Sequence, residues 1–456
     1  MRCADGRARD PRMPAARPGR SSLPARLLPA LVGAALALAA PAGALRAQEK
    51  ELRSGISESG FTPVRLALPV FAQRSESDTI RLASQDLQEV VWNDLEFSGY
   101  FRLVDRTHYG LVPAARGGKV PFEDWESIGA EYLFLGEVGM EGTRLLVEGR
   151  LHDTVHKQMI FGKRYRAEPD LYRTVAHRLA DDIILHFTGR QGIAQSQITF
   201  AARSGRGKEI YVMDYDGSRL KQVTHNGALN LSPAWSPDGQ QLVFTSFQEG
   251  VPRLYLLDRS GNQTRPLAGW DGEMSSAPEW SPDGRWLAFT SNKDGNAEIY
   301  KMELGSGRLV RLTYHRSIDT SPSWSPTGRE IAFTSDRGGS PQIYLMDADG
   351  LNVRRVTFEG EYNDLAAWSP QGDRLAYSSR ITNLDVCVLD VASQQTQRLT
   401  RGPGSNESPR WSPDGRHIIF SSTRGGTSAL YIMDSDGSRQ RRIGPTFHSE
   451  SPDWSR

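Results

Sequence analysis

Three turns along the chain, "DYDG" from Asp214, "DADG" from Asp347 and "DSDG" from Asp434, carry the alternating carboxylates with which a calcium loop begins. Such a loop also needs a bidentate Glu at its twelfth position, where this sequence has His225, Phe358 and Pro445. All three turns fall at one place in a repeat, so hairpin turns are expected there rather than metal sites. A second polar set recurs a few positions ahead of successive tryptophans: Asp319 and Thr320, Asn363 and Asp364, Asn406 and Glu407, and Glu450. Gathered around one opening, such groups form a polar rim for a protein partner, or, if acids and amides converge on one axis, a cage for a calcium ion. The sequence has neither a G-x-S-x-G nucleophile elbow nor an H-E-x-x-H metal motif, and its nine His are scattered. The expectation is a binding protein with no catalytic residue, cofactor or resident metal. The alternative is a secreted propeller hydrolase or lactonase using channel calcium on Asp319, Asn363, Asp364, Asn406 and Glu407.

These residues are placed by a repeat. Trp235, Trp280, Trp324, Trp368, Trp411 and Trp454 follow one another at intervals of 45, 44, 44, 43 and 43 residues. A period near 40 to 45 with four short strands per unit marks propeller blades. Each unit reads as a short strand ending in Trp, a turn of the type "SPDG", then "LAFTS", "IYxMD" and "RLT". Pro fixes φ at the second turn position and Gly supplies the positive φ that closes the hairpin. Where Thr327 and Gln371 replace the Asp, Pro326, Gly328, Pro370 and Gly372 remain. One tryptophan per blade at a fixed strand position predicts packing between blades. The first copy, "ITFAA" from Ile198, has no Trp-bearing strand before it, and "SPDW" at Ser451 to Trp454 has nothing after it. A ring of six blades over 196–456 follows, closed by the C-terminal strand. Alternating strand direction puts the segments entering each Trp strand on one face, and the "SPDG" and "DxDG" turns on the other.

Residues 61–192 follow a different pattern, that of a small α/β domain. "VRLALPVF" from Val64 and "EYLFLGEVG" and "TRLLVEGRLHDT" read as strands. A helix after Asp78 turns Leu87, Val91 and Leu95 to one side, and another from Leu171 to Phe187 turns Val175, Leu179 and Ile183 inward. Residues 48–60, "QEKELRSGISESG", are polar and without periodicity, which predicts a mobile tail. Residues 1–47 hold eight Arg against Asp5 and Asp10, a charge of +6, which leaves −5 of the total +1 for the rest. The basic head, the apolar run "LLPALVGAALALAA" and the small residues up to Ala47 spell a signal peptide, with an uncleaved anchor as the alternative. Past it Cys387 is the one thiol, so no disulfide forms. An acidic body without basic runs excludes nucleic acid as the expected partner.

The signal, the α/β domain and six blades with "SPSWSPDGR…LAFTS…IYxMDxDG…RLT" together resemble the TolB family of the Tol-Pal system over essentially the whole mature chain. "ISESGFTPVRLALPVF" stands at the family's domain start. The resemblance implies a monomeric periplasmic adaptor that acts in outer-membrane integrity and constriction at cell division. It implies binding of the lipoprotein Pal at one face of the propeller channel and of TolA by the N-terminal tail, here Gln48 to Gly60 with Glu51, Leu52 and Ile56 as contacts. At two positions where some members carry an acidic residue and a His for Pal, this chain has Ser321 and Met274. That shifts the expected Pal contacts to Asp319, Thr320 and the other members of the rim.

Overall fold

The computed structural model describes residues 62–74, 78–113, 119–261, 264–267 and 273–455. The segments read as signal peptide and tail, with Glu51, Leu52 and Ile56, lie outside the described residues.

The N-terminal region is an α/β layer. Its sheet runs in the order Phe101–Leu103, Val64–Ala67, Tyr132–Glu141, Arg144–Asp153, Gln158–Ala167, with Ala72–Gln73 paired beside Tyr132–Glu141. The first three strands pair in parallel, as does Ala72–Gln73 with Tyr132–Glu141, and the last two strands are antiparallel. Helices Asp78–Ser98 and Tyr172–Thr188 cover one face, burying Leu87, Val91, Leu95, Val175, Leu179 and Ile183 in a single cluster. The second helix ends on Gly189, whose φ of 68° supplies the left-handed cap. The strand Gln158–Ala167 departs from the sequence reading, which ended the sheet one strand earlier. It is a largely exposed edge carrying Lys163, Arg164 and Arg166, and so lacks apolar alternation.

From Gln197 onward the chain forms six four-stranded antiparallel sheets. We number the blades by their Trp strands: Asn230–Trp235, Ser275–Trp280, Asp319–Trp324, Tyr362–Trp368, Asn406–Trp411 and Ser449–Trp454. The sixth blade joins the two ends of the ring: Ser449–Trp454 pairs antiparallel with Gln197–Ser204, setting Trp454 opposite Ile198. The ring is therefore closed by its C-terminal strand, as the sequence predicts. Each "SPDG"-type turn has the expected geometry, with Gly239 at φ 64° and its N–H donating to Ser236 O at 2.8 Å, and the Thr327 and Gln371 copies close in the same way.

The six tryptophans are 5 to 8% exposed and pack against the preceding blade, as when Trp235 joins Ala201, Ile210 and Val212. The indole N–H of Trp280 donates to Ala234 O at 3.3 Å and that of Trp411 to Ala367 O at 3.1 Å, tying blade two to blade one and blade five to blade four. They are structural, and they also wall the narrow end of the central channel.

Candidate functional site at the channel mouth

The strand that ends in Trp is the innermost of each blade, so its residues line the channel. In all six copies it is bulged: the register slips between Thr320 and Ser323 in blade three, for example, and between Glu407 and Arg410 in blade five. The bulged residue adopts positive φ without being glycine: Ser232, Ala277, Ser321, Leu365, Ser408 and Ser451 at 48 to 57°. Neighbouring blades hold it there, the N–H of Ser321 donating to Thr290 Oγ1, of Ser408 to Ser378 Oγ and of Ser451 to Ser421 Oγ. A bulge reverses side-chain parity, so two consecutive residues per blade stay partly exposed while those before and after are buried.

This explains how the seven rim residues sort. Thr320, Asp364, Glu407 and Glu450 are partly exposed and stand at equivalent positions in blades three to six. Asp319, Asn363 and Asn406 sit one residue earlier and are buried, which corrects their expected place at the opening. Asp319 accepts from Arg337 Nη2 at 2.7 Å, Asn363 donates to Gln342 Oε1 at 2.8 Å and Asn406 to Asp385 Oδ1 at 3.1 Å. These three bind strands together beneath the surface and do not converge with Asp364 and Glu407 on the channel axis, so the cage that channel calcium requires is not assembled from them.

The acids at the mouth differ in their surroundings. Asp364 accepts from Thr334 Oγ1 at 2.7 Å and from the Tyr362 hydroxyl at 2.8 Å. Glu450 meets Lys208 and His448 Nε2. Burial, with Glu450 and Asp364 adding repulsion against the relief from Arg380, holds the Glu407 carboxyl above its ordinary value. Around this acidic centre the loops on the same face expose apolar side chains. Tyr314 is 76% exposed and Phe358 68%, with Met274, Ile318, Ile381 and Phe447 also open to solvent. The sequence reading singled out the polar members and missed this apolar collar. Its signal was present in "YHRSIDT" and "FEGEYND", where an aromatic opens a mostly polar loop.

The other end of the channel is crossed by an ion-pair bridge. Arg410 reaches across it, its guanidinium 3.6 Å from Glu279 of blade two and 3.4 Å from Asp453 of blade six. On that face the α/β region is seated over blades five and six. Phe97 stacks on His417 at 4.0 Å, Arg416 donates to Ser98 O at 3.0 Å, and Tyr215 donates to Asp94 at 2.5 Å. Asp94 also meets His177 Nδ1 at 2.8 Å. Burial raises the Asp94 carboxyl; burial pulls His177 down, yet its bond to Asp94 and that charge leave it raised.

The "DYDG" and "DSDG" turns belong to this seat. All three turns close as hairpins, Gly217, Gly350 and Gly437 each donating to the Asp carbonyl three residues back at 2.8 to 2.9 Å. His177, Asp214 and Asp216 bring ligand-type atoms within 4.8 Å of one another. Arg219 pairs with Asp214 at 2.5 Å and Arg173 pairs with Asp216, which supplies the compensating positive charge already.

With the two faces distinguished, comparison with known proteins decides the family. Residues 185–456 match the family model described as the TolB beta propeller domain, and residues 53–160 that of the TolB amino-terminal domain. The chain belongs to the TolB family. A Tol-Pal system protein TolB of Roseobacter denitrificans is 39% identical over 274 residues, 59% of this chain and 61% of the relative. That of a Ruegeria species is 37% identical over 62% of this chain and 65% of the relative. The aligned stretch thus spans about three fifths of the length of these TolB relatives. The crystal structure of TolB from Acinetobacter baumannii superposes with a TM-score of 0.74 at 28% identity, covering 86% of this chain and 97% of the other.

Proposed function

We propose that this chain is a non-enzymatic periplasmic adaptor of the Tol-Pal system, binding the lipoprotein Pal at the channel mouth and TolA through residues 48–60. The observation that carries the reading is the contrast between the two faces of the ring. On one, the α/β region sits over blades five and six and Arg410 crosses the channel. The other is open, acidic at its centre and ringed by exposed apolar side chains. A rigid concave surface with a few apolar anchors around desolvated charge is the form in which folded proteins are recognised, and small numbers of such residues dominate affinity.

Within the mouth we assign the contacts to Thr320, Asp364, Glu407 and Glu450, with Tyr314 and Phe358 as apolar anchors. Asp319, Asn363 and Asn406 act by holding the bulged strands in place. Titration calorimetry with purified Pal tests the assignment: replacing Asp364 and Glu407 by Ala should weaken binding at least tenfold while the melting temperature stays within a few degrees. Replacing Asp347, on the opposite face, should leave affinity unchanged. The reverse pattern would remove the mouth from consideration. Deleting 48–60 should abolish TolA binding and leave Pal binding intact; TolA binding by the shortened chain would refute the role given to Glu51, Leu52 and Ile56.

A further inference from the structure

Five blades share an aromatic pair that the fourth lacks. A Phe on the second strand faces a Tyr on the third: Phe200 and Tyr211, Phe244 and Tyr255, Phe289 and Tyr300, Phe333 and Tyr344, Phe420 and Tyr431. Their ring centroids lie 5.8 to 6.1 Å apart. At the matching register blade four sets Tyr377 opposite Cys387. The second-strand ring is retained, with its hydroxyl 3.4 Å from Thr396 Oγ1, but the third-strand ring is missing.

Beside that register lies an open pocket of about 550 Å³ lined by Tyr377, Cys387, Thr396, Arg398, Glu359 and Ile381, with Tyr377 and Cys387 each 2% exposed at its floor. Arg398 is the cross-strand neighbour of Cys387, as Arg355 is of Tyr344 in blade three. The entrance lies in the loops of the mouth face, and Ile381 there is 52% exposed. In sister blades the tyrosine hydroxyl donates to an acceptor on that side: Tyr255 to Glu249 at 2.5 Å, Tyr300 to Asp294 at 2.7 Å. The blade-four cavity offers a counterpart in Glu359.

We propose that the blade-four cavity is a socket for an aromatic side chain, Tyr by preference, presented by the protein that docks on the mouth face. The five sister blades point to the occupant, since each carries a phenol ring opposite its second-strand Phe, donating to a nearby acceptor or paired in register with an Arg. A Cys in place of Tyr gives up packing that a monomer would otherwise use, and the open apolar lip at Ile381 gives a ring a way in. This rests on the reading that the mouth face binds the partner, and adds to it the chemical class of one anchor.

Two measurements test the socket on the full mature chain. Ligand-observed saturation-transfer NMR with p-cresol, the free tyrosine side chain, should show binding to the parent. It should be lost in the Tyr377→Phe/Cys387→Tyr variant, which rebuilds the sister pair and should melt at or above the parent temperature. No p-cresol binding by the parent, or undiminished binding by the filled variant, overturns the proposal. The filled variant should also bind Pal at least tenfold more weakly. If it binds Pal as the parent does while the Asp364→Ala/Glu407→Ala variant does not, the socket is overturned and the mouth stands. Should the filled variant misfold, Glu359→Ala serves instead: it lies at the entrance, and weaker p-cresol binding is expected, with parental binding counting against the socket.

Discussion

Trp454→Ala is the sharpest perturbation of ring closure. Trp454 is 5% exposed, belongs to the cluster that includes Ile198, Phe200 and the helices of the α/β region, and donates its indole N–H to Ser196 Oγ at 2.8 Å. An aromatic side chain of this size buries about 150 to 250 Å², which at about 25 cal/mol per Å² corresponds to ~4 to 6 kcal/mol as an upper bound. Measured truncations of buried Trp cost about 3 to 5 kcal/mol. The same change at Trp324, an interior blade residue that is 7% exposed, sets the scale for a closed ring. If the C-terminal strand is as firmly seated as the others, urea unfolding followed by circular dichroism should give losses for the two variants within about 1 kcal/mol of each other. Trp286 on the second strand of blade two is half-buried, and its replacement by Ala should cost well under half as much. A loss below about 1 kcal/mol for Trp454→Ala, with the full loss at Trp324, would refute closure by this strand.

Arg410→Met should destabilise by about 2 kcal/mol, because Glu279 and Asp453 keep their charges without the group between them. Adding Glu279→Gln to that variant should restore part of the loss, and an additive loss in the double variant would contradict the bridge. Asp181 accepts from the Ala194 and Gln195 N–H groups in the segment joining the α/β region to the ring, yet burial raises its carboxyl to about 6. Since the folded value lies above the unfolded one near 3.8, its stabilising contribution is fully present below about 3.8 and is lost as pH rises through about 6. The stability difference between the parent and Asp181→Asn should therefore shrink from pH 4 to pH 6.5, and a difference that grows over this window would show the sign to be reversed.

The propeller was legible because its signals are local and repeated. The "SPDG" turn needs Pro and Gly for backbone reasons, and each strand carries its own apolar run. Closure followed from counting strands at the two ends. The edge strand Gln158–Ala167 was hidden because an exposed charged edge has no hydrophobic period. Of the seven rim residues the structure leaves four partly exposed and buries three. Strict alternation cannot tell which of Asn363 and Asp364 faces the channel, and a bulge with positive φ at Leu365 decides it. The seat of the α/β region was invisible, since its contacts join Asp94 to Tyr215 and Ser98 to Arg416, far apart in the chain and without a motif. Cys387 looked like an isolated thiol until the register set it where five blades carry Tyr.

The account stands on which face of the ring meets Pal, and photo-crosslinking asks this directly. A benzophenone side chain would be placed at Phe358, 68% exposed on the mouth face, or at Leu351, 61% exposed in the turn that follows Asp347 on the opposite face. Irradiation with purified Pal should give an adduct from position 358 and none from 351. An adduct from 351, with none from 358, would contradict the account.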